Sequence, residues 1–246
     1  MADITGISWT DRTHNEWWGC SSTAGAGCDN CYAATLDHRT GGNYFGIGTA
    51  PRLTSEQNRN KPYRWDRDAA RNGSRVRVFC GSMMDFFDKN APAEARDALW
   101  GKIKDTQNLD WQILTKRTAN IAKMLPADWG DGYKNVWLGA TCENRKSGLR
   151  RLEQIKEAPA KIRFLSVEPL LEDLGDIRLD GIQWVIVGGE SGTGFRVMAK
   201  TWADRVIAQC QEQNVAVFFK QWGGLARDAG GCVIDGREIK QWPQGA

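Results

Sequence analysis

The sequence predicts an α/β fold of parallel strands with helical crossovers, arranged as a full or partial (β/α) barrel. Seven apolar runs alternate with helical or loop segments along the chain, and this alternation is typical of parallel sheets. The runs are nearly continuous in Val, Ile and Phe, which indicates burial on both faces. An open doubly wound sheet fits these observations as well. We favour the barrel because polar residues follow every run, as expected where strand ends surround one central site.

The apolar runs are predicted strands because they are short, rich in β-branched and aromatic residues, and bounded by polar or glycine-containing turns. In chain order they are residues 4–10, 76–80, 111–114, 136–140, 162–167, 184–187 and 215–219. Helical periodicity predicts helices between them. These are residues 31–39, 91–104, a helix through residue 124, residues 146–157, and a helix through residue 210.

Length and composition indicate a globular chain with a substantial core. The 246 residues are 41% hydrophobic and 26% charged, which suits one large or two small domains. We predict a single barrel domain over residues 1–246, with a basic insertion at residues 41–75. No apolar run approaches the roughly 18 residues that a membrane span needs, so no membrane association is expected. Seven cysteines without an N-terminal signal segment favour the cytoplasm over a disulfide-forming compartment.

Residues 52–77 are locally basic, although the formal net charge of the chain is only +3. This basic segment contains eight Lys and Arg residues against three acidic ones, with Tyr63 and Trp65 among the charges. Cationic and aromatic side chains together suit a surface arm on the phosphates and bases of a nucleic acid. A solvated connecting loop is an equally good interpretation of the same composition.

Three cysteines fall within twelve positions, with seven residues between Cys20 and Cys28 and two between Cys28 and Cys31. Thiolates are the usual ligands of iron–sulfur clusters and zinc, and the small residues between these cysteines form a loop that lets them converge. A closed structural site needs four ligands, whereas a reactive site leaves one position open. On spacing alone, a zinc site with His14 or His38 as fourth ligand competes with an iron–sulfur cluster.

Several separate blocks of the sequence resemble one known family. They are Trp9-Thr10-Asp11, Asn15, Gly19-Cys20, Cys28-Asp29-Asn30-Cys31-Tyr32, Leu114-Thr115-Lys116-Arg117, Trp137-Leu138-Gly139, Phe164-Leu165-Ser166-Val167-Glu168-Pro169-Leu170-Leu171, Val187-Gly188-Gly189-Glu190-Ser191-Gly192 and Phe218-Phe219-Lys220-Gln221-Trp222-Gly223. In this order they resemble the three-cysteine-motif phage protein family, which is related to radical S-adenosylmethionine (SAM) enzymes. The resemblance covers residues 7–223.

The resemblance implies a barrel of the radical SAM type and a [4Fe–4S] cluster held by Cys20, Cys28 and Cys31, with one iron open to SAM. With an electron from a one-electron reductant, SAM would be cleaved to a 5′-deoxyadenosyl radical. The cofactors would thus perform the chemistry, while the protein binds and orients SAM and the substrate. The spacing departs from the usual radical SAM pattern, because it is seven residues then two rather than three then two. If phage-encoded, the protein is expected in the host cytoplasm.

The same resemblance implies cofactor-binding roles for polar residues after the strands. They are Gly81, Ser82, Asp85, Thr115, Lys116, Thr141, Glu143 and Asn144. The first three follow the second strand, where related enzymes place a glycine-rich segment against the methionine amino group, and the Asp85 carboxylate is expected to pair with that ammonium. The next two are expected to approach the SAM carboxylate, because an ammonium is its natural partner. The last three are expected to bind the ribose hydroxyls or the carboxylate of SAM. An ordinary strand-end cap is the alternative for each.

Glu168, Glu190 and Lys220 follow the last three strands and are the predicted catalytic residues. In a partial barrel these late strands face the cluster across the cavity, so their carboxylates suit the amino or amide groups of a substrate. A salt bridge from either glutamate to Lys220 or Lys116 is the structural alternative.

The favoured function is a radical SAM enzyme that modifies or rearranges a nucleoside or DNA base. The resemblance to a phage family makes thymidine hypermodification, by isomerisation of an amino-acid substituent, the specific expectation. Two alternatives stay open: a noncatalytic metal-stapled nucleic-acid-binding protein, and a radical SAM lyase that repairs pyrimidine dimers. The sequence does not separate these substrates.

Overall fold

The computed structural model describes residues 5–22, 25–226 and 229–243. These residues pack as two compact units that alternate along the chain. The first unit is drawn from residues 5–22, 33–138 and 158–161, and the second from residues 25–32, 139–157, 162–226 and 229–243. Among the described residues, no helix combines the length and apolar composition needed to cross a membrane.

Strands and helices alternate through most of the chain. In chain order they are β1 (Arg12–His14), β2 (Trp17–Trp18), α1 (Ala26–Asp29), α2 (Tyr32–Arg39), β3 (Arg52–Leu53), α3 (Glu56–Arg59), α4 (Lys61–Arg71), β4 (Val76–Cys80), α5 (Ala93–Asp105), β5 (Leu109–Thr115), α6 (Ile121–Met124), β6 (Val136–Thr141), α7 (Arg150–Glu157), β7 (Ile162–Val167), β8 (Trp184–Gly188), α8 (Lys200–Glu212), β9 (Ala216–Gln221), β10 (Val233–Ile234) and β11 (Arg237–Glu238). A 3₁₀ turn (Thr118–Asn120) precedes α6, and a π-helical turn (Arg145–Leu149) precedes α7.

Seven parallel strands are hydrogen-bonded in the order β1-β4-β5-β6-β7-β8-β9. This arrangement confirms the predicted α/β fold of parallel strands with helical crossovers. Within the described residues the order begins at β1 and ends at β9, so the barrel is partial rather than closed. Two short pairs, β2 with β3 and β10 with β11, are antiparallel.

The position predicted for the first strand is wrong. Residues 5–10 form no strand, and β1 lies at Arg12–His14 instead, in a stretch predicted to be a polar strand end. β1 pairs with β4 through backbone hydrogen bonds, which form regardless of the polarity of the side chains. Asp11 supports the pairing, because its carboxylate accepts hydrogen bonds from the backbone and guanidinium of Arg77 at 2.8–3.0 Å.

The basic segment is largely helical, because α3 and α4 lie within it. Helix α4 buries Pro62, Trp65 and Ala69, which the helical period places on one face. Arg67 lies on the exposed side of the same helix. The sequence pattern does not predict this helix, because charged residues outnumber the three buried ones. The segment therefore packs along one face and presents charge on the other.

A group of buried ionisable side chains lies in the first unit. Glu16 Oε2 accepts a hydrogen bond from His14 Nε2 at 2.9 Å and one from Lys102 Nζ at 2.6 Å. The three side chains are 1–5% exposed. Burial lowers the pKa of His14, so its ring is neutral at pH 7. Burial alone would raise the pKa of Glu16, but the bonds from His14 and Lys102 hold that pKa below its usual value.

The core of the second unit is built on aromatic residues of adjacent strands. Phe164 in β7, Trp184 in β8 and Phe218 in β9 are fully buried, and consecutive ring centroids are 5.5 and 6.4 Å apart. Gly139 in β6 makes room for the first of these rings, because a Cβ at this glycine would lie 2.3 Å from Phe164 Cζ. Gly139 is therefore required by packing.

Gly139→Ala is expected to lower the free energy of unfolding by about 1–3 kcal/mol, because the added methyl group overlaps the Phe164 ring. Chemical denaturation measures the difference. Gly101→Ala is the control: a Cβ there meets no atom within 4 Å, so this helical substitution should be neutral or stabilising. In a Phe164→Leu background Gly139→Ala should cost less, and an equal cost in both backgrounds would contradict the overlap.

Candidate functional site

Cys20, Cys28 and Cys31, the motif cysteines, are half-buried, whereas three of the other four cysteines are buried. All seven lie within the described residues, and none forms a disulfide. Burial raises the pKa of the Cys20 thiol to about 11, against the opposing charge of Arg117.

Three partly exposed thiols have the donor chemistry of an iron–sulfur ligand set. Within the described residues no three His, Cys, Asp or Glu side chains are arranged to hold a metal ion, so cluster binding stays a prediction.

The two histidines have different surroundings. His14 is buried and bonded to Glu16, while His38 is exposed near the end of α2. Neither belongs to a metal-binding group of three among the described side chains. The geometry therefore favours neither a zinc site completed by a histidine nor an iron–sulfur cluster. Analysis of the bound metal distinguishes the two.

Arg117 contacts the sulfur of Cys20. Its Nη1 lies 3.3 Å from Cys20 Sγ and 2.9 Å from Asp85 Oδ2, and its Nη2 lies 2.9 Å from Ser21 Oγ and 3.3 Å from Asp88 Oδ2. These four contacts fix the plane of the guanidinium, whose donors are held in a rigid fork. Hydrogen bonds to ligand sulfurs are one of the factors that set the potential of an iron–sulfur cluster. Arg117 lies in a block that carries the family resemblance, but no spacing linked it to Cys20.

Asp88 anchors the residue that follows Cys20. Its carboxylate accepts hydrogen bonds from Ser21 N and Ser21 Oγ, both at 2.7 Å, and from Asn90 N at 3.0 Å. Burial opposes the charge, but these bonds hold the pKa of Asp88 below its usual value. Asp88 is therefore ionised at neutral pH, and it balances the charge of Arg117. No sequence pattern predicts a role for Asp88.

Asp85, predicted to pair with the SAM ammonium, is bonded to groups of its own chain. Its Oδ1 accepts hydrogen bonds from Thr115 Oγ1 at 2.7 Å and Phe87 N at 3.0 Å. Its Oδ2 accepts one from Lys116 N at 3.1 Å and faces Arg117. Two predicted cofactor-binding residues, Asp85 and Thr115, are thus bonded to each other. A contact from either side chain to SAM would have to share or replace that bond.

Asn15 holds the loop that contains Gly81 and Ser82. Its Oδ1 accepts a hydrogen bond from Met83 N at 2.7 Å, and its Nδ2 donates to Ser82 Oγ at 3.0 Å. A Cβ on Gly81 would lie 2.8 Å from Asn15 Oδ1, so the close approach of the amide requires glycine. Gly19 N also donates to Met83 O at 2.9 Å. The loop predicted to meet the methionine part of SAM is therefore held by residues next to β1 and β2.

Glu143 packs against the residue that precedes Cys28. A Cβ on Gly27 would lie 2.9 Å from Glu143 Oε1, so only glycine allows this contact. The Glu143 carboxylate is fully buried, with Arg151 Nη1 2.5 Å from Oε2 and Ser147 Oγ 3.2 Å from Oε1. This carboxylate, predicted to bind ribose, already has two partners within the second unit.

Thr141 and Asn144 are the other predicted ribose contacts. The Thr141 side chain is buried, and its backbone oxygen accepts a hydrogen bond from Arg151 Nη1 at 3.1 Å. Asn144 Oδ1 accepts hydrogen bonds from Ser147 N and Ser147 Oγ, both at 2.9 Å, and so caps the π-helical turn. Asn144 thus has the cap geometry that the sequence analysis gave as its alternative role.

The predicted catalytic residues form two ion pairs in the second unit. Lys220 donates to Glu168, and the two side chains are 18% and 19% exposed. Glu190 is buried, and its partner is Arg196, at 2.5 Å. The structure therefore contains the Glu168–Lys220 salt bridge that was an alternative to a substrate contact. It also gives Glu190 a partner that the sequence analysis missed.

A family model described as "Protein of unknown function (DUF5131)" matches residues 4–243. The match covers nearly the whole chain. No curated protein matches the sequence.

Solved structures of spore photoproduct lyase have a similar fold. One, with bound AdoMet and dinucleoside spore photoproduct, has a TM-score of 0.51 at 14% identity and covers 85% of this chain and 63% of that chain. Another, with dinucleoside spore photoproduct, has a TM-score of 0.50 at 12% identity, with coverages of 86% and 64%. The chain thus spans less than two thirds of the length of these structures. At such identities the likeness shows the fold alone.

Proposed function

This chain belongs to the DUF5131 family, and from its fold and its motif cysteines we propose that it is a radical SAM enzyme. The likeness of the fold to a lyase structure with bound AdoMet supports the proposal. The observation that carries it is the contact from the Arg117 guanidinium to the Cys20 sulfur. Burial raises the pKa of this thiol, and the cationic donor opposes that rise and so lowers the cost of forming the thiolate, which is the form that binds a metal.

In this proposal the motif cysteines hold a [4Fe–4S] cluster. The bound cluster and SAM would supply a 5′-deoxyadenosyl radical on receipt of one electron from an external reductant. The loop with Gly81 and Ser82 would bind the methionine part of SAM through its backbone. Arg117 would orient Cys20 through the guanidinium contacts described above.

The other predicted SAM contacts fall into two groups by exposure. Lys116 and Asn144 are half-buried, and we assign them the SAM carboxylate and the ribose, respectively. Asp85, Thr115, Thr141 and Glu143 are buried and hydrogen-bonded within the chain. We assign these four the role of supporting the strand ends that carry the half-buried pair.

The proposed substrate is a nucleoside or a DNA base. Dinucleoside spore photoproduct in the similar lyase structures supports this class. Arg64 and Arg67 lie on the exposed face of α4, where phosphate contacts would form. Thymidine hypermodification in a phage, by isomerisation of an amino-acid substituent, is the finer hypothesis. A lyase reaction on pyrimidine dimers is the second candidate, and the likeness to spore photoproduct lyase favours it. Either reaction would take place in the cytoplasm.

Glu168 and Lys220 are the proposed substrate-side residues. Their ion pair is partly exposed at the ends of β7 and β9, so it can open towards a polar substrate. The carboxylate then offers hydrogen-bond acceptors and the ammonium offers donors.

The protein reconstituted anaerobically with iron and sulfide, then given dithionite and SAM, is expected to release 5′-deoxyadenosine. Chromatography with mass detection measures this product, and oligonucleotide or free nucleoside is added in separate reactions to identify the substrate. Glu168→Gln keeps the side-chain volume but removes a charge. This variant should retain iron and 5′-deoxyadenosine formation while the modified nucleoside falls about 10²-fold or more.

Two results would contradict these assignments. Stoichiometric zinc without iron, and no 5′-deoxyadenosine, would leave the noncatalytic metal-stapled nucleic-acid-binding protein as the better interpretation. Full product formation by Glu168→Gln would make the Glu168–Lys220 pair a structural salt bridge.

A further inference from the structure

The segment that carries Cys28 and Cys31 has little structure of its own to hold it. Its helix, α1, spans four residues, has no side-chain cap and contains no buried residue. A helix of one turn is unstable alone, because the conformational entropy lost in nucleating it exceeds the free energy gained from its few hydrogen bonds. Contacts from other parts of the second unit therefore help to fix the positions of these two cysteines.

Arg196 makes such contacts with α1. Its Nη2 donates to Ala26 O at 2.8 Å, and its Nη1 lies 3.5 Å from Asp29 Oδ2. Arg196 is itself oriented by Glu190, whose carboxylate accepts hydrogen bonds from Arg196 Nε at 2.9 Å, Nη2 at 2.5 Å and the backbone N at 2.8 Å. Bidentate pairing of this kind fixes the plane of the guanidinium. The arginine therefore reaches α1 in one defined orientation.

Asn30 makes a second link between Glu190 and the cysteine segment. Its Nδ2 donates to Glu190 Oε2 at 3.1 Å and to Gly194 O at 2.9 Å. Burial opposes the charge of Glu190, but Arg196 and Asn30 hold the pKa of Glu190 below its usual value. The bonded residues, at positions 26, 29 and 30, enclose Cys28 and end directly before Cys31. Both cysteines are thus held through their neighbours.

We propose that the Glu190–Arg196 pair is a positioning device that holds residues 26–30, and through them Cys28 and Cys31, in the conformation that receives the cluster. The inference rests on the proposed function for the identity of the cluster. It gives Glu190 a role different from the substrate contact expected from the sequence. Glu190 acts through Arg196 and Asn30, so it is a positioning residue.

The test measures the reactivity of each cysteine in the metal-free, full-length protein. Iodoacetamide alkylation followed by peptide mass spectrometry gives a separate rate for every thiol. Arg196→Gln keeps the side chain polar but removes the charge that pairs with Glu190. Cys28 and Cys31 should then react about ten-fold faster or more. Loss of a charged hydrogen bond makes local opening of the segment more frequent by about this factor, and opening exposes the thiols. The rates of Cys20 and buried Cys210 should not change.

Two variants sharpen the comparison. Arg205→Gln is a matched control, because Arg205 also pairs with two carboxylates, those of Asp173 and Asp176, and is 40% exposed against 36% for Arg196. It should leave all alkylation rates unchanged. Arg196→Lys keeps the charge for Glu190, but a single ammonium replaces the planar fork. This variant should give rates between those of the wild type and Arg196→Gln.

Wild-type rates for Cys28 and Cys31 in Arg196→Gln would overturn the inference. Equal acceleration of Cys210 would overturn it as well, because the effect would then be general loosening of the fold. After reconstitution, Arg196→Gln should hold roughly half the wild-type iron or less, while Arg205→Gln matches the wild type. If the wild type takes up no iron, the proposed function fails, yet the alkylation rates still decide the positioning role.

Discussion

Lys102→Met is expected to lower the free energy of unfolding by about 3–5 kcal/mol. The substitution keeps an unbranched apolar stem in α5 but leaves the Glu16 carboxylate, which is 2% exposed, without its ammonium partner. The hydrogen bond from His14 remains, but a neutral ring does not balance the charge. Chemical denaturation followed by tryptophan fluorescence measures the loss.

Two companion variants separate charge from packing. Lys104→Met removes an exposed ammonium on the same helix, paired with Asp128, and should cost far less than Lys102→Met, because solvent screens an exposed pair. Adding Glu16→Gln to Lys102→Met should recover much of the lost stability, because neither charge is then buried alone. If Lys102→Met costs no more than Lys104→Met, the Glu16–Lys102 pair is not buried as described.

The cost of Lys102→Met should also depend on pH. In the wild type the pKa of Glu16 is held below its usual value, so its pairing stabilises the fold above the unfolded pKa and is lost as pH falls through the folded one. In the variant, burial without the ammonium raises the pKa of Glu16. The folded variant then binds a proton more readily than the unfolded chain, so the deficit should shrink as pH falls through the raised pKa of the variant and be smallest below about pH 4–5, the unfolded pKa of Glu. Denaturation at pH 4 and pH 7 tests this.

Replacing any motif cysteine with Ala is expected to remove most of the bound iron and the brown colour together. A [4Fe–4S] cluster held by three thiolates has no protein ligand to spare, and metal binding is strongly coupled to ligand number. Iron and sulfide analysis after anaerobic preparation measures the loss. Cys20→Ala should also leave Arg117 without the sulfur that it contacts at 3.3 Å.

Cys232→Ala is the control for the motif cysteines. Cys232 is half-buried, as they are, but its sulfur lies 3.0 Å from Glu238 Oε1, beside the β10–β11 pair. Its substitution should leave iron content unchanged. Retention of full iron by Cys20→Ala, Cys28→Ala and Cys31→Ala would rule out the cluster assignment, and an equal loss in Cys232→Ala would point to damage during preparation.

Most of the strands could be predicted because continuous apolar runs demand burial on both faces. β4 and β7 have the predicted bounds, residues 76–80 and 162–167. β1 could not be predicted in this way, because Arg12, Thr13 and His14 carry no apolar signal and their pairing depends on the backbone. Helix α4 was missed for a related reason, since its three buried residues stand among many charges.

The candidate ligands could be found because thiols recur at short spacing, whereas the residues that orient them could not. Arg117 is 97 positions from Cys20, and Arg196 is 170 positions from Ala26. No local period or motif connects residues so far apart. The position of Glu190 after a strand predicts a role for it, but the predicted salt-bridge partners are Lys220 and Lys116, whereas the observed partner is Arg196.

The sequence by itself determined the alternation of buried strands and helices, and it determined which three thiols stand close together along the chain. Both are local properties, set by side-chain polarity and spacing. Only the tertiary structure decided how the charges are paired: Glu16 with Lys102, Glu190 with Arg196. The strength of an ion pair depends on the distance between its atoms and on their burial, and folding sets both quantities without regard to separation along the chain.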